Sequence, residues 1–408
     1  MPPNETPPSL PDWPETVVGR KYLRMLEDHL AGLRESHPHG RQMLFLKDMF
    51  VAQLLAFFNP ALNSLRTLED FSQTRLAQQF LSVPKIASST FSDAQRLVEP
   101  RLLEPIVERL LAEARRRQVA LPDLPASLQH VLAVDGSFFR LAAEMTWAIA
   151  RGNNNGHSSA CARLDLHLNV ATWAPEVFAV AGAGVSEAAH AKVSITPGAI
   201  HLYDRGFFDF ELIEAHQQQA FFVMRMREPG ERSPRFRAEE TRALSPQDQA
   251  AGILSDTLGR LQGSQHRRPP NMVLREVLVV APDEPGSVVR LLTNLYDLDA
   301  AVISQLYRWR WQIELFFRWL KVYAQFSRPL STSPAGVQLN FYVAVIGVLL
   351  TCLHSGARPS KYAFSLLTLA ATGAVTLEEI APILTERERR SALDRASAAR
   401  RATRRKPG

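Results

Sequence analysis

Apolar residues recur at helical spacing along the first part of the chain, and the elements they predict set its outline. Leu23, Leu26, Leu30 and Leu33 mark one helix, and Met43 to Phe58 a second that Asn59-Pro60 ends. Leu65 to Leu68 and Arg75 to Arg96 continue the helical pattern, with Ser89 or Ser92 as an N-cap for the latter. The pattern changes after Leu121-Pro122. His130 to Asp135 is a short apolar run ending at an acid, and Ala162 to Thr172 alternates through Leu164, Leu166, Leu168 and Val170. Glu176 to Val180 adds a third strand-like run before a Gly-rich turn. Ser186 to Val193 suits a short helix, Ala199 to Asp204 a strand that again ends at an acid, Phe208 to Gln217 a helix, and Ala220 to Met226 a fifth strand.

Some seventy residues follow before the next strong helical signal. Glu228 to Asn271 is polar and rich in Pro and Arg, while Leu274 to Val280 and Val288 to Leu295 read as strands. The segment from about 228 to 295 therefore reads as a β-rich insertion docked on the main sheet, with Thr293-Asn294-Leu295 returning the chain to a helix over Tyr307 to Lys321. That stretch has no Gly or Pro. At about 100° per residue, Tyr307, Arg310, Glu314 and Lys321 fall within a strip roughly 60° wide, with Arg318 close by. The other faces carry Trp309, Ile313, Phe316, Phe317, Trp319 and Leu320, so the helix must be largely buried. A buried helix that keeps one carboxylate among several cations prepares a site for something charged. Helical pattern resumes after Phe326-Ser327-Arg328-Pro329 and runs to about Leu384. Its most apolar part, Leu339 to Leu353, is shorter than the ~20 residues a membrane span needs and reads as a core helix.

Composition narrows this outline. At 408 residues, 46% hydrophobic and 22% charged, the chain has the makeup of an ordinary globular protein of two or three domains. Its formal charge of +6 comes from the tail, because nine basic and two acidic residues lie from Arg387 on, leaving the rest at −1. Any case for a polyanionic partner must then rest on local clusters. Two distant cysteines, Cys161 and Cys352, make neither a disulfide framework nor a zinc site, and a reducing cytoplasm fits them. The Pro-rich start lacks the basic-then-apolar pattern of a signal peptide.

The domain reading is a disordered stretch over 1–15, a helical region over 16–125, an α/β core over 126–330, a C-terminal helical region over 331–386 and a basic tail over 387–408. In the first helical region Lys85, Arg96 and Arg101 are available for phosphates, and the tail is a second candidate.

The chemistry lies in the acids. If the strands of Asp135 and Asp204 are neighbours, both carboxylates sit at one edge of the sheet, where a helix packed across it adds Glu314. Asp165, inside a strand, and Asp209, opening a helix where an acid is favourable for structural reasons, are the rivals. Three gathered carboxylates repel one another unless a cation neutralises them. Hard oxygen donors suit Mg²⁺ or Mn²⁺, and two such ions support in-line phosphoryl transfer. His157, His167, His190 and His201 are scattered and read as structural.

Three strands, a helix, a strand, a helix and a strand is the order of a ribonuclease-H-like mixed sheet. Val-Asp135-Gly-Ser, Tyr-Asp204-Arg-Gly-Phe and the Tyr307/Arg310/Glu314/Lys321 spacing together resemble the insertion-sequence-four family of DDE transposases, over about residues 40 to 360. The resemblance implies Asp135, Asp204 and Glu314 as the catalytic, metal-binding triad for two Mg²⁺ ions, with Mn²⁺ as the substitute. It implies Tyr307, Arg310 and Lys321, joined by Arg205 and Arg318, as contacts to double-stranded DNA. It also implies a homodimer synapsed on two element ends in the bacterial cytoplasm at the nucleoid, with no membrane partner. A transposase-derived regulator and a metal-dependent endonuclease without strand transfer share these features. Members that excise through a DNA hairpin stack a flipped base on an aromatic residue of the inserted strands. Here the six Trp, at 13, 147, 173, 309, 311 and 319, lie outside the insertion, which offers only Phe236 and Tyr296.

Overall fold

The computed structural model describes residues 46–355 apart from single positions and the stretches 141–148, 153–157, 182–185, 228–234, 264–267, 282–286 and 323–329, with scattered positions beyond 355. The expected helix at Leu23 to Leu33, the Pro-rich start, His157 and the basic tail beyond 390 fall outside the described residues. The chain divides into two compact units, one made of the segments up to Glu113 and from Leu320, the other of Ala114–Trp319.

The first unit is helical. It contains α1 (Leu46–Phe58), α2 (Leu65–Ser72) and α3 (Ser88–Leu97), followed by α4 (Glu104–Arg116). Ser64 caps α2 by accepting from the Thr67 amide, and the Thr67 hydroxyl accepts from the Ser64 amide in return. The Arg75 to Arg96 segment is not one helix as expected. A 3-10 turn at Ala77–Gln79 and a non-helical stretch containing Pro84 precede α3, whose Ser89 and Ser92 lie inside the helix and not at its cap.

The second unit is built on one ten-stranded mixed sheet. Its strands are β1 (Val131–Arg140), β2 (Ile149–Gly152), β3 (Ser158–Asn169), β4 (Pro175–Ala181), β5 (Ile200–Tyr203) and β6 (Phe221–Arg225), then β7 (Arg235–Thr241), β8 (Ile253–Gln262), β9 (Leu274–Val280) and β10 (Val288–Thr293). The order is β2-β3-β1-β5-β6-β10-β9-β8-β7, with β4 also paired to β3. β1, β5 and β6 run parallel, and the other pairings are antiparallel. The parallel strands are the apolar ones: all four residues of β5 are buried, as a strand covered on both faces requires. Helices α5 (Glu187–Val193) and α6 (Phe210–His216) supply the crossovers, and Leu212 and Ile213 of α6 pack with Val134, Tyr203, Phe222 and Leu292 of the sheet. Asn294 extends the β6 edge by accepting from the Phe222 amide at 2.9 Å and donating to the Ala220 carbonyl at 3.0 Å.

Three strands and one short helix lie outside the elements the apolar pattern predicts. β2, β7 and β8 and the short α7 (Pro246–Ala250) carry little apolar signal. β7 is the outer strand of the sheet and is exposed along nearly its whole length, so nothing in its composition needs to be apolar.

The stretch read as one helix over Tyr307 to Lys321 is two, α8 (Ala300–Trp309) and α9 (Trp311–Val322), separated by a turn at Arg310. There the backbone bonds tighten to a three-residue spacing, Arg310 N to Tyr307 O at 3.1 Å and Ile313 N to Arg310 O at 3.2 Å. No Gly or Pro announces this break; it falls at the buried residue whose side chain binds Glu314 and approaches Asp135. The last long helix, α10 (Pro334–Ser355), belongs to the first unit and packs on α1 and α3. It is long and apolar enough to cross a membrane, yet its side chains are mostly buried inside the fold, as a core helix requires. A methyl at Gly347 would stand 2.3 Å from the Phe57 ring of α1.

Candidate active site

Two acids meet where the parallel pairing of β1 and β5 ends, although β1 itself does not stop at Asp135 as expected but runs on to Arg140. Val134 of β1 pairs with Tyr203 of β5, so Asp135 and Asp204 are the next residues on neighbouring parallel strands. Asp135 is half-buried and its Oδ1 accepts from the Gly136 amide at 2.8 Å. Burial pushes its carboxyl up to about 6, and the negative charges of Glu187 and Glu314 add to the rise, while the Gly136 amide and Arg310 oppose it. Asp204 follows β5 directly and accepts from the Tyr307 hydroxyl at 3.3 Å.

The helix pair supplies the rest. Arg310, at the turn, is buried; its Nη2 donates to Glu314 Oε1 one helical turn on, and its Nη1 lies 4.0 Å from Asp135 Oδ2. Its guanidinium carbon stands 5.9 Å from the Tyr307 ring centre. Burial pushes the Tyr307 hydroxyl up to about 12, so it remains a donor to Asp204 at any working pH. Trp319 and Phe316 of α9 anchor the helix by edge contacts with Trp173, at 6.4 and 5.3 Å.

The rival acids are occupied elsewhere. Gly136, not Asp135, faces Asp165 across the β1–β3 ladder, so Asp165 points from the other face of the sheet. There it is clamped by Arg163 at 2.6 and 2.9 Å, with His190 Nδ1 at 3.7 Å. Asp209 caps α6 by accepting from the Glu211 and Leu212 amides.

Of the expected DNA contacts, Tyr307 and Arg310 join the acids, Arg205 is exposed beside Asp204, and Arg318 is exposed on α9. Lys321 lies in the last turn of α9 and is half-buried. In the helical unit Lys85 is paired with Glu69 at 2.7 Å and Arg101 approaches Glu104 at 3.9 Å. Two cations went unread. Arg225, at the end of β6, acts on the Tyr307 hydroxyl, and Arg227 lines a cleft with Asp204, Arg205 and Gly206. The signal was present: β6 is the third parallel strand, and its end, Met-Arg-Met-Arg, reaches the same edge as the two acids.

Among the described residues no three His, Cys, Asp or Glu side chains stand close enough together to hold an ion as placed. The donors are nevertheless carboxylate oxygens, and their negative charge is balanced here by Arg310, which binds Glu314 and approaches Asp135. An all-oxygen set with excess negative charge fits a hard divalent cation.

A mixed sheet that gathers two aspartates where the pairing of neighbouring parallel strands ends, with a helix carrying a glutamate beside them, defines an α/β protein with an acid-lined site. Residues 126–350 match the family described as "Transposase DDE domain". The match takes in more than half of the chain, and the chain belongs to that family. It is 28% identical over 195 residues to "Putative transposase y4zB" of Sinorhizobium fredii, covering 47% of this chain and 52% of that protein. It is 27% identical over 148 residues to "Probable transposase for insertion sequence element IS5377" of Geobacillus stearothermophilus, covering 36% of this chain and 37% of that protein. The chain thus aligns with about half or less of the length of these relatives. A solved structure of the piggyBac transposase synaptic complex with hairpin DNA superposes with a TM-score of 0.44 at 12% identity, over 88% of this chain and 79% of that one.

Proposed function

We propose that this chain is an insertion-sequence transposase of the insertion-sequence-four type, cutting double-stranded DNA at the element ends and joining the freed 3′-OH to target DNA. The observation that carries the reading is the register of β1 on β5, which sets Asp135 beside Asp204, with Arg310 linking Asp135 to Glu314. The order β4-β3-β1-β5-β6, with the last three parallel, supports a ribonuclease-H-like core in which the segment of β7 to β10 is an insertion.

Asp135, Asp204 and Glu314 would hold Mg²⁺ or Mn²⁺, which activates the attacking oxygen and stabilises the leaving one. The protein's own contribution is positioning. The register of β1 on β5 fixes Asp135 and Asp204, the Tyr307 hydroxyl orients Asp204, and Arg310 binds Glu314 and opposes the rise of the Asp135 carboxyl. Arg205, Arg227, Arg318 and Lys321 are the cations for the phosphates flanking the cut, and the helical region over 16–125 is the candidate reader of the ends. Each reaction exchanges one P–O bond for another: water opens a phosphodiester to leave a 3′-OH, and that hydroxyl then opens one in the target. Cutting two ends and joining them to one target calls for two protomers in a synaptic complex.

The test is a plasmid carrying the DNA that flanks the gene, incubated with the protein in Mg²⁺ or Mn²⁺, beside Glu314→Gln and an EDTA control. Metal-dependent breaks at defined ends that vanish in the variant support the triad, and joined products select a transposase over a nuclease. Binding to those ends with no cleavage in either metal would instead identify a DNA-binding regulator.

A further inference from the structure

The helix that brings Tyr307 and Arg310 to the acids is mounted on the inserted segment. α8 packs on β8, β9 and β10 and on α7, as well as on β6 of the core. Its own start is poorly capped. Asp299 stands at the N-cap of α8 but makes no side-chain cap bond, and the first amides of a helix have no partner within it. The missing acceptor comes from 53 residues earlier in the chain. Asp248 of α7, only 5% exposed, accepts from the Ala301 amide through Oδ1 at 2.8 Å. Its other oxygen, Oδ2, accepts from the Ser245 amide at 3.0 Å and from the Ser245 hydroxyl at 2.8 Å, closing the capping box of α7. One buried carboxylate thus caps two helices, and its charge lies at the positive end of α8.

We infer that Asp248 is a positioning residue for the cleavage reaction, setting α8 through the Ala301 amide so that Tyr307 and Arg310 meet Asp204 and Asp135. The proposal rests on the transposase reading above and assigns the inserted segment a task within it, holding the helix pair in place. The geometry leaves little slack. α8 is ten residues long, and Tyr307 lies about 9 Å beyond Ala301 along its axis, at 1.5 Å per residue. A rod this short carries a tilt of its first turn to Tyr307 and to the turn at Arg310. The contacts at that end are long ones, 3.3 Å from the Tyr307 hydroxyl to Asp204 and 4.0 Å from Arg310 to Asp135, and do not by themselves hold the helix against a shift. A displacement of about 1 Å at the reacting groups is enough to cost about a hundredfold in rate. Asp256, the other buried acid of the segment, acts through Arg275, whose bonds go to carbonyls before the helix; Asp248 bonds the helix itself.

The experiment uses the full chain and two variants that delete the same bond from either side. Asp248→Ala removes the acceptor. Ala301→Pro removes the donor in the first turn of α8, where a proline is tolerated, and leaves the capping box of α7 in place. Circular dichroism and urea denaturation give the folded fraction, and should one variant fail to fold, the other carries the comparison. Duplexes from the DNA flanking the gene are used to read end affinity in Ca²⁺ and single-turnover cleavage in Mg²⁺ at saturating DNA, and hydrogen exchange is followed in the free protein. The expected result is a cleavage rate per folded molecule lower by about tenfold or more, with end affinity kept. Amide exchange should be faster along α8 out to Arg310. Cleavage per folded molecule equal to wild type in either folded variant would overturn the inference and leave the transposase reading intact, since a cap that only stabilises the fold does not change that rate. Faster exchange confined to the first turn of α8 would also overturn it, because the helix would then not carry the displacement to the acids. Loss of end affinity at an unchanged saturated rate would assign Asp248 to DNA binding instead. Wild-type protein that neither binds nor cuts these ends would remove the transposase reading and the positioning role with it.

Discussion

Arg310 holds Glu314 with one guanidinium nitrogen and stands 4.0 Å from Asp135 with the other, so one buried cation serves acids from the sheet and from the helix. Its removal has a definite sign. Asp135 sits up at about 6 even with Arg310 opposing the rise, so losing the guanidinium moves it higher still. A carboxylate raised in this way is protonated, and useless to a cation, as pH falls through that value. In Arg310→Met the acidic limb of the cleavage profile should move to higher pH, and end cleavage at pH 7 should fall at least tenfold. Cleavage rates measured from pH 5.5 to 9 at fixed Mg²⁺ check this, and an unmoved limb would show that Arg310 does not act through Asp135.

Arg275 does for the entry to α8 what Arg310 does for the acids. It is fully buried, pairs with Asp256 through two bonds of 2.8 Å, and donates to the carbonyls of Leu295 and Leu298 at 3.0 and 2.5 Å. These bonds close the turn that leads from β10 into the helix pair. Arg275→Met leaves the buried Asp256 carboxylate only Arg242, at 3.8 Å, and should cost about 3–5 kcal/mol. Asp256→Leu combined with it should cost less than the single change, because the poorly paired buried charge is gone. Urea denaturation of the two variants measures the difference.

How far these relationships were legible depended on what carried them. Asp135 and Asp204 could be read because each ends an apolar run, and Glu314 because Tyr307, Arg310 and Lys321 frame it at helical spacing. The five strands of the core showed for the same reason: β1, β5 and β6 are buried on both faces and must be apolar. The turn at Arg310 left no trace, since no Gly or Pro marks it and one of the acids Arg310 meets there, Asp135, is remote in sequence. β7 was missed because an exposed outer strand has no need of an apolar pattern, and β8 because its buried positions include Asp256 and Gly259 beside Ile253 and Leu261. Arg225 and Arg227 were visible as letters, but their importance appears only once β6 is known to lie beside β5.

Gly136 marks a second constraint at the site. A methyl there would lie 2.8 Å from Asp165 Oδ1 and 2.9 Å from Glu187 Oε1. Glu187 can swing aside, but Asp165 is fixed by its two bonds to Arg163. Gly136→Ala should therefore push the β1 strand and carry the adjacent Asp135 with it, destabilising the protein by about 1–3 kcal/mol. Cleavage should fall by more than that loss of folded protein explains, which a comparison of rate per folded molecule would detect. A rate unchanged per folded molecule would mean that β1 absorbs the methyl without moving Asp135.

His167 of β3, His201 of β5 and His216 of α6 form a run of imidazoles. His201 makes edge contacts with His167 at 5.6 Å and with His216 at 5.2 Å, and all three are buried. His216 is bonded to the Leu212 carbonyl at 2.8 Å, whereas neither nitrogen of His167 has a hydrogen-bond partner among the described residues. Burial pushes His167 down to about 3 and His216 to about 4, and holds His201 well below its ordinary value. The sign follows from linkage: the unfolded chain takes up protons below about pH 6.5 that the folded one refuses. The stability these neutral histidines allow is present above pH 6.5 and is lost as pH falls toward 4 and then 3. At pH 5 His167 and His216 should each cost about 2 kcal/mol, a large part of the stability of a typical domain, and His201 acts in the same direction. The denaturation midpoint should therefore drop steeply between pH 7 and pH 5. His167→Phe, which puts an apolar ring in an apolar site, should remove about a third of that slope while leaving stability at pH 7 equal or higher. Denaturant titrations of wild type and variant at pH 7, 6 and 5 provide the comparison. Equal slopes would mean that His167 takes up its proton without unfolding the sheet.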